Sequence, residues 1–279
     1  MSKRLRIGVI GHVEHITLGR VVAIPRPGEI AHLEDPVCFG GGGGGVAFYQ
    51  LAASDAELHL FTALGDDEAG AFVEQQLAAT TATIHAARRH EPHTRDVAMI
   101  DPSGERTIVV VGQPLHPRAS DPLPWELLPE LDAVYFTAQD PQLLIRARAA
   151  RLLLATARRK QAIAASGVRL DAIVGSVSDA REAGIPDDYD PRPAVLVMTD
   201  GARGGSVYTD SSTDSFESPP VPARVGSYGA GDSFAGAFTY YFAAGCDPIT
   251  AAARAAHHGA AVLSSINPLT AQLRLPAPG

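Results

Sequence analysis

A stretch near the C-terminal end of the chain combines small residues, an acid and a helical pattern. Gly229, Ala230 and Gly231 come directly before Asp232, and apolar and aromatic residues then recur at roughly helical spacing. Glycine lets the backbone approach a ligand closely, and the first turn of a helix presents free N–H groups and the positive end of its dipole. The segment therefore predicts an anion site, for which phosphate is the usual occupant.

The carboxylate of Asp232 needs an explanation, because it would repel a phosphate group bound beside it. One explanation is a general base, which takes a proton from a hydroxyl group as the hydroxyl oxygen attacks phosphorus. The alternative is a structural role, in which the side chain only caps the helix. The residue types by themselves leave both interpretations open.

Lysine usage limits the kind of phosphate chemistry that the chain can perform. The only lysines are Lys3 and Lys160, and neither lies in a G-x-x-x-x-G-K-[ST] context, which excludes a Walker-type phosphate loop. Phosphate must therefore be bound by backbone amides, by arginine or by a metal ion. The net charge of −8, with no basic block, argues against nucleic acid as a partner.

Length and composition predict a globular protein with one main domain. A chain of 279 residues fits one large α/β domain, or a domain with a small appendage. No stretch of about 20 uncharged apolar residues exists, so we expect no membrane span. Cys38 and Cys246 fit no metal-binding spacing. We expect both to be reduced thiols in a cytoplasmic protein.

Short apolar runs alternate with helical patterns along the chain, which predicts a mostly parallel sheet with helices on both faces. The apolar runs predict strands over residues 5–10, 58–64, 133–136, 152–155, 172–174 and 195–198. Helical patterns lie near residues 46–53, 141–150 and 179–184, and two more follow Asp232 and Pro248.

Turn residues mark the remaining segments. Residues 96–111 predict a hairpin, and residues 16–24 predict an exposed strand followed by a turn. Six glycines at 40–45 precede the helical pattern that starts at Val46, where the backbone can approach a ligand; a flexible linker is the alternative. Asp66 is predicted to cap a helix running to about Thr80.

The segment from Gly229 to Asp232, followed by Ser-Phe, resembles the C-terminal signature of the ribokinase-like (PfkB) carbohydrate kinases. The resemblance implies a three-layer α/β/α sandwich with a mostly parallel central sheet, in a single domain over residues 1–279. It also implies a small β-sheet lid, formed non-contiguously by about residues 14–38 and 90–113, that closes over the substrate and often pairs two subunits. In that family the Asp is the catalytic base, and the amides of the three preceding residues hold the transferring phosphoryl group.

Two further segments resemble the part of that family which binds nucleotide. Asp179-Ala180-Arg181-Glu182 resembles Asn-x-x-Glu, which implies that Glu182, supported by Asp179, organises Mg²⁺ through water; an ordinary helix N-terminus is the alternative. Residues 199–204 resemble Thr-x-Gly-x-x-Gly, a segment that lies against ATP. This implies nucleotide contacts for Thr199, Gly201 and Gly204, with a tight turn as the alternative.

The N-terminal part resembles the substrate-binding half of the family, with differences. The glycine run implies substrate contacts for Gly41 and Gly42. Counting five residues from Gly11 puts Ile16 where relatives have a substrate-binding Asp. Counting back from Gly65 puts Val46 where they have an Asn.

Other polar residues are candidates to replace those two contacts. Glu14 and His12 stand close to the missing Asp, with exposure to solvent as the alternative. Arg106 of the lid is a further substrate-binding candidate, with the same alternative.

Relatives usually have Asp-Thr-Thr where this chain has Gly226-Ser227-Tyr228, and the missing Asp helps many members to bind a monovalent cation. We therefore do not expect potassium activation.

Together these patterns predict an ATP-dependent kinase that acts with Mg²⁺ on a hydroxymethyl or hydroxyl group of a sugar or related small polyol. The resemblance also implies a homodimer formed through the lid. Two alternatives stay open: a nucleoside kinase of the same fold, and a ligand-binding or regulatory member with weakened catalysis.

Overall fold

The computed structural model describes residues 4–221 and 223–276. Within them the strands are β1 Arg6–Ile10, β2 Glu14–Arg20, β3 Glu34–Gly41, β4 Glu57–Gly65, β5 Thr83–Arg89, β6 Arg95–Ile100, β7 Arg106–Val111, β8 Ala133–Phe136, β9 Leu153–Thr156, β10 Ala172–Ser176, β11 Val195–Thr199, β12 Gly205–Thr209 and β13 Thr213–Phe216. The α-helices are α1 Gly42–Ala52, α2 Glu68–Ala78, α3 Pro141–Ala147, α4 Lys160–Ser166, α5 Ala230–Ala243 and α6 Pro248–Val262. None of these helices is long and apolar enough to cross a bilayer.

A nine-stranded sheet runs through the centre of the molecule in the order β13-β12-β11-β10-β9-β8-β1-β4-β5. The strands from β11 to β5 pair in parallel, and β12 and β13 add an antiparallel edge. Parallel neighbours need a crossover connection, which contains an α-helix in each case except between β10 and β11, where it is made of turns. The predicted mostly parallel sheet is confirmed.

Helices cover both faces of this sheet, so its inner strands are buried on both sides. Strand β8 shows the consequence: Ala133 and Tyr135 enter one apolar core, while Val134 and Phe136 enter another. The first core contains side chains of α1, α2, α5 and α6, and the second contains side chains of α3 and α4. The predicted three-layer α/β/α architecture is confirmed.

A second sheet of four strands has the order β3-β2-β6-β7 and is called the small sheet below. Strands β6 and β7 form the predicted hairpin. The prediction of an exposed strand over residues 16–24 is wrong in its bounds and in its exposure. Strand β2 spans Glu14–Arg20 and lies between β3 and β6 inside the small sheet. Its Ile16 and Leu18 are completely buried in the core beneath the small sheet.

Some local predictions differ from the structure. Residues 179–184 form turns and no helix, and the carboxylate of Asp179 bonds Arg158 of a neighbouring segment. Helix α2 is capped by Asp67, whose Oδ1 accepts from the Gly70 N–H over 3.0 Å, while Asp66 contacts His90. The elements that the patterns did not predict are β3, β5, β12 and α4; β3 and β5 are edge strands with few buried side chains.

Candidate active site

The N-terminus of helix α5 is open, as an anion site requires. Its N-cap is Gly229, whose φ of +80° lies in the left-handed region that glycine adopts without a steric penalty. Gly231 is exposed, and a Cβ built on it meets no atom within 4 Å. The first backbone N–H groups of a helix have no intrahelical partner, so those at this end point into free space.

Asp232 is the third residue of α5 and is partly buried at its mouth. In the described part of the chain, neither Gly229 nor Asp232 makes a side-chain capping hydrogen bond. The capping interpretation therefore does not account for the acid. Burial raises the pKa of Asp232, and the guanidinium groups of Arg106 and Arg158 oppose that rise.

A second helix N-terminus meets the first, because α1 begins inside the glycine run at Gly42 and not at Val46. A Cβ built on Gly42 would lie 2.6 Å from Oε2 of Glu14, and one built on Gly43 would lie 3.1 Å from Oδ1 of Asp232. The glycines thus leave room for two carboxylates. The flexible-linker interpretation is wrong.

Glu14 and His12 lie beside these glycines and are buried, so the alternative of exposure to solvent is wrong; their contact with substrate stays a prediction. Their exposed fractions are 7% and 9%, and Nε2 of His12 is 3.6 Å from Oε1 of Glu14. Ile16, which the count from Gly11 placed at the substrate, is completely buried in the core instead. Val46 is also completely buried, and its Cγ1 would be 3.1 Å from a Cβ built on Gly229.

Asp96, which no sequence pattern indicated, lies close to Glu14. Asp96 is on β6, opposite Ile16 in the parallel pairing, and therefore on the same face of the small sheet as Glu14. Both carboxyl groups are almost fully buried, and two negative charges so close together are unfavourable, so the pair favours a state in which one group holds a proton. Burial and the charge of Asp96 raise the pKa of Glu14 to about 9, and burial also raises that of Asp96.

Two arginines that directly follow β9 were missed as well. Nη2 of Arg158 is 2.7 Å from Oε1 of Glu182 and also bonds Asp179, and Nε of Arg159 donates to the main-chain oxygen of Thr137 over 2.6 Å. Their position was a usable signal, since ligands of α/β folds bind at the carboxyl ends of parallel strands.

Glu182 and Asp179 provide carboxylate oxygens, the donors that Mg²⁺ prefers. Both already share the guanidinium of Arg158, and burial raises the pKa of Glu182. Among the described residues no three His, Cys, Asp or Glu side chains form a metal cage. The pair fits a Mg²⁺ ion that keeps its water shell and is held through that water.

Arg106 contacts the loop before the anion site. Its Nη1 donates to the main-chain oxygen of Ser227 over 3.0 Å, so the alternative of exposure to solvent alone is wrong, and its contact with substrate stays a prediction. The next residue, Tyr228, accepts a hydrogen bond from the Gly42 N–H through its hydroxyl over 3.0 Å. The loop thus joins the small sheet to the N-terminus of α1.

The predicted nucleotide-binding segment forms a tight turn after β11. Oγ1 of Thr199 donates to the Gly175 oxygen over 3.1 Å, and Gly204 has a φ of +84°. A Cβ on Gly204 would lie 1.9 Å from the Phe216 oxygen, so only glycine fits there. Gly201 also has a positive φ, and a Cβ on it would meet open space. The turn is present, and the nucleotide contact stays a prediction.

A family model described as pfkB family carbohydrate kinase matches residues 4–174 and 189–273. The chain belongs to this family. A search of curated proteins by sequence found no significant match. The members of the PfkB family are kinases. The N-terminus of α5, the acids Glu14 and Asp96, and the turn after β11 all lie within the matched residues.

Solved structures share the fold of this PfkB chain. Ribokinase from Giardia lamblia has a TM-score of 0.81 at 14% identity, covering 97% of this chain and 96% of that one. Ribokinase from Arabidopsis thaliana, complexed with ribose and ATP, has a TM-score of 0.75 at 15% identity, covering 96% of each. A nucleoside kinase from Methanocaldococcus jannaschii has a TM-score of 0.72 at 15% identity, covering 99% of this chain and 96% of that one.

Proposed function

We propose that this protein is an ATP-dependent kinase that phosphorylates a hydroxymethyl or hydroxyl group of a sugar or related small polyol. The observation that carries the proposal is the position of Asp232. Its carboxylate lies at the open N-terminus of α5, makes no capping hydrogen bond in the described chain and faces Gly43 at the start of α1. A base beside a row of free amides is the arrangement that phosphoryl transfer to an alcohol needs.

Asp232 takes the proton of the acceptor hydroxyl. The hydroxyl oxygen bonds to the γ-phosphorus while the bond from that phosphorus to the oxygen of ADP breaks, and the proton moves to the carboxylate. An alcohol is far less acidic than a carboxylic acid, so the proton transfers only as the new O–P bond forms. A general base of this kind contributes a factor of about 10²–10⁴ in rate.

The backbone amides of Gly229, Ala230 and Gly231 bind the transferring phosphoryl group. Fixed amide dipoles stabilise its developing charge without reorganisation. When bound, Mg²⁺ neutralises charge on the nucleotide phosphates. Glu182 and Asp179 hold the water shell of that ion, and Arg158 limits the negative charge that the two carboxylates present.

Thr199, Gly201 and Gly204 form the nucleotide side of the site. The open space at Gly201 lets a flat ring approach the backbone of the turn. The fold shared with a ribokinase solved with ribose and ATP supports this placement. On the acceptor side, Gly41, Gly42, Glu14 and His12 bind the polyol, and closure of the small sheet excludes water as a competing acceptor.

A nucleoside kinase is the second candidate, which the fold shared with the Methanocaldococcus jannaschii enzyme supports. Its base would need a flat surface for stacking, and the rings of His12 and His116, with centroids 4.7 Å apart, are tilted by 59° and do not form one. A regulatory member with weakened catalysis is the third candidate. The open position of Asp232 argues against it, because a protein that only binds ligand has little use for a base at an anion site.

We also propose a homodimer formed through the small sheet. Strand β7 lies at its edge, and all six of its residues are exposed. Among them Ile108, Val109, Val110 and Val111 are apolar. An exposed apolar edge strand is a template for pairing with another chain. Light scattering coupled to gel filtration, with Val109→Lys as the disrupting variant, tests this assembly.

The cytoplasm is the compartment that we propose for this reaction. The cytoplasm supplies ATP, and Cys38 and Cys246 are both free thiols. Reduced cysteines are typical of that compartment.

Consumption of ATP across a panel of sugars, nucleosides and inositols tests the proposed reaction and separates the candidates. A polyol kinase yields ADP and a phosphorylated product in equal amounts with at least one sugar or inositol. Product from nucleosides alone establishes the second candidate. Binding of a compound without any product establishes the regulatory one.

A further inference from the structure

Glu14 and Asp96 form a buried pair of acids beside His12, in what is called the acceptor pocket below. In the described part of the chain neither acid makes an ion pair with Arg or Lys, and the guanidinium of Arg159 acts on Glu14 only from further away. Glu14 and Asp96 are 7% and 4% exposed. Among residues 4–221 and 223–276, no Arg or Lys nitrogen lies within 4.0 Å of either carboxyl group, and the nearest basic atom is Nε2 of His12 at 3.6 Å. Buried charges in proteins are normally paired, because an isolated buried charge is costly.

The imidazole of His12 does not supply the missing charge. Burial, together with the charge of Arg159, keeps the pKa of His12 well below its usual value. Burial likewise lowers the pKa of His116 to about 3. Both rings are therefore neutral at physiological pH, and the guanidinium of Arg159 favours that state.

Unpartnered polar atoms accompany the two acids. Both ring nitrogens of His116, whose ring packs against His12, and Oδ1 of Asp96 are buried and have no hydrogen-bond partner among the described residues. The two histidines are each 9% exposed, and their ring centroids are 4.7 Å apart. Buried polar groups are rarely left unsatisfied, so these atoms indicate a polar ligand.

Glu14 lies close to Asp232, the proposed base. Glu14 lies against Gly42 and Asp232 against Gly43, with oxygens 2.6 Å and 3.1 Å from Cβ positions built on these glycines. Consecutive Cα atoms are only about 3.8 Å apart. One small ring can therefore place a hydroxyl at Asp232 and another substituent at Glu14.

Resting on the kinase function proposed above, we infer that the acceptor is an amino sugar or aminocyclitol whose ammonium group binds between Glu14 and Asp96. The ammonium donates to both carboxylates, and its charge allows the shared proton to leave. Nitrogens of His12 and His116 bind neighbouring hydroxyls of the same ring. With a neutral polyol the two carboxyl groups would still share one proton, and the remaining negative charge would have no counter-ion.

Matched pairs of ligands test this inference: glucosamine with glucose, N-acetylglucosamine as the uncharged nitrogen control, and an aminocyclitol with myo-inositol. Binding is measured by calorimetry without ATP, in two buffers with different ionisation enthalpies. At pH 7 we expect an amine to bind about 10- to 100-fold more tightly than its neutral partner. We expect close to one proton to be released per amine bound and none for a neutral ligand.

The isosteric variants Glu14→Gln and Asp96→Asn should each bring the affinity ratio near one and abolish proton release. Asp210→Asn removes a carboxylate that lies outside the pocket and pairs with Arg169, so it should change neither result. Equal or tighter binding of glucose, myo-inositol or N-acetylglucosamine would overturn the inference, as would amine binding without proton release. Failure of the kinase function is seen separately, as the absence of phosphorylated product from every compound when ATP is added.

Discussion

Nη1 of Arg106, on strand β7 of the small sheet, donates a hydrogen bond to the main-chain oxygen of Ser227 over 3.0 Å. Ser227 lies two residues before Gly229, the N-cap of α5, so this contact ties the small sheet to the loop that shapes the anion site. Arg106 is also the largest charge opposing the effect of burial on the pKa of Asp232. One guanidinium thus links the position of the small sheet to the protonation of the proposed base.

Replacing Arg106 by glutamine should shift the acid limb of the rate profile to higher pH. Burial already raises the pKa of Asp232, and the loss of the opposing guanidinium charge lets it rise further. A plot of log kcat against pH should therefore show a larger loss at pH 6 than at pH 8. Arg106→Lys should recover part of the shift.

Arg169→Gln is the control for that series, because Arg169 forms an exposed ion pair with Asp210 outside the site. Its profile should match that of the unmodified protein. A decrease in kcat that is equal at every pH would contradict an electrostatic effect of Arg106 on the base.

A methyl group at Gly42 should displace the acceptor pocket. Gly42 and Gly28 both have a positive φ, +75° and +89°, so alanine at either position is strained. Only at Gly42 does the added Cβ also meet Oε2 of Glu14, at 2.6 Å; at Gly28 it meets open space. We expect Gly42→Ala to lower kcat/KM by about 10²-fold, the effect of misplacing a group by an ångström.

Gly28→Ala serves as the matched control and should leave kcat/KM unchanged, although backbone strain lowers its melting temperature. If both variants lose the same activity, the close approach of Glu14 to the glycine run has no functional role.

The contrast between the two ends of the chain shows what sequence patterns could predict. The segment from Gly229 to Asp232 is local: four consecutive residues and one helix N-terminus define it, and the structure places it as predicted. The position of Glu14 is harder to predict, because counting five residues from Gly11 assumes a connection of fixed length between β1 and β2. The structure buries the residue reached by that count, Ile16.

The other misses are non-local. Asp96 reaches Glu14 through a pairing of β2 with β6, across about eighty residues of chain, a separation that no periodicity reports. Arg158 meets Glu182 because β9 and β10 are adjacent parallel strands that end at the same edge. The position of Arg158 after β9 predicts a residue of the site only when the order of the strands in the sheet is already known.

The contribution of Glu14 to the free energy of unfolding should decrease as the pH rises from about 5 to 9, and Glu14→Gln should remove that component. Buried histidines such as His93 and His116, whose pKa values burial lowers, act in the opposite direction below about pH 6.5 and do so equally in both proteins. The folded-state pKa of Glu14 is raised to about 9, so the folded protein keeps a proton that the unfolded chain releases above about pH 4.3. The contribution of Glu14 is thus complete at low pH and is lost as the pH approaches 9. A proton difference of one changes the free energy of unfolding by about 1.4 kcal/mol per pH unit.

Urea denaturation at pH 5, 7 and 9 measures this effect in both proteins. Asp96 shifts in the same direction as Glu14, so some of the slope should persist in the variant. A pH dependence that is identical in both would show that Glu14 titrates normally in the folded state.

The most direct test of the central claim compares two acids at two helix N-termini. Asp247 caps α6, and its Oδ1 accepts from the Thr250 N–H over 3.0 Å. Asp247→Ala should lower the melting temperature, since loss of a cap costs about 1 kcal/mol, and should leave turnover intact. For Asp232→Asn, single-turnover formation of phosphorylated product is the measurement. We expect a decrease of about 10²–10⁴-fold without loss of melting temperature. Turnover at the unmodified rate, with a melting temperature lowered as in Asp247→Ala, would show that Asp232 only caps a helix.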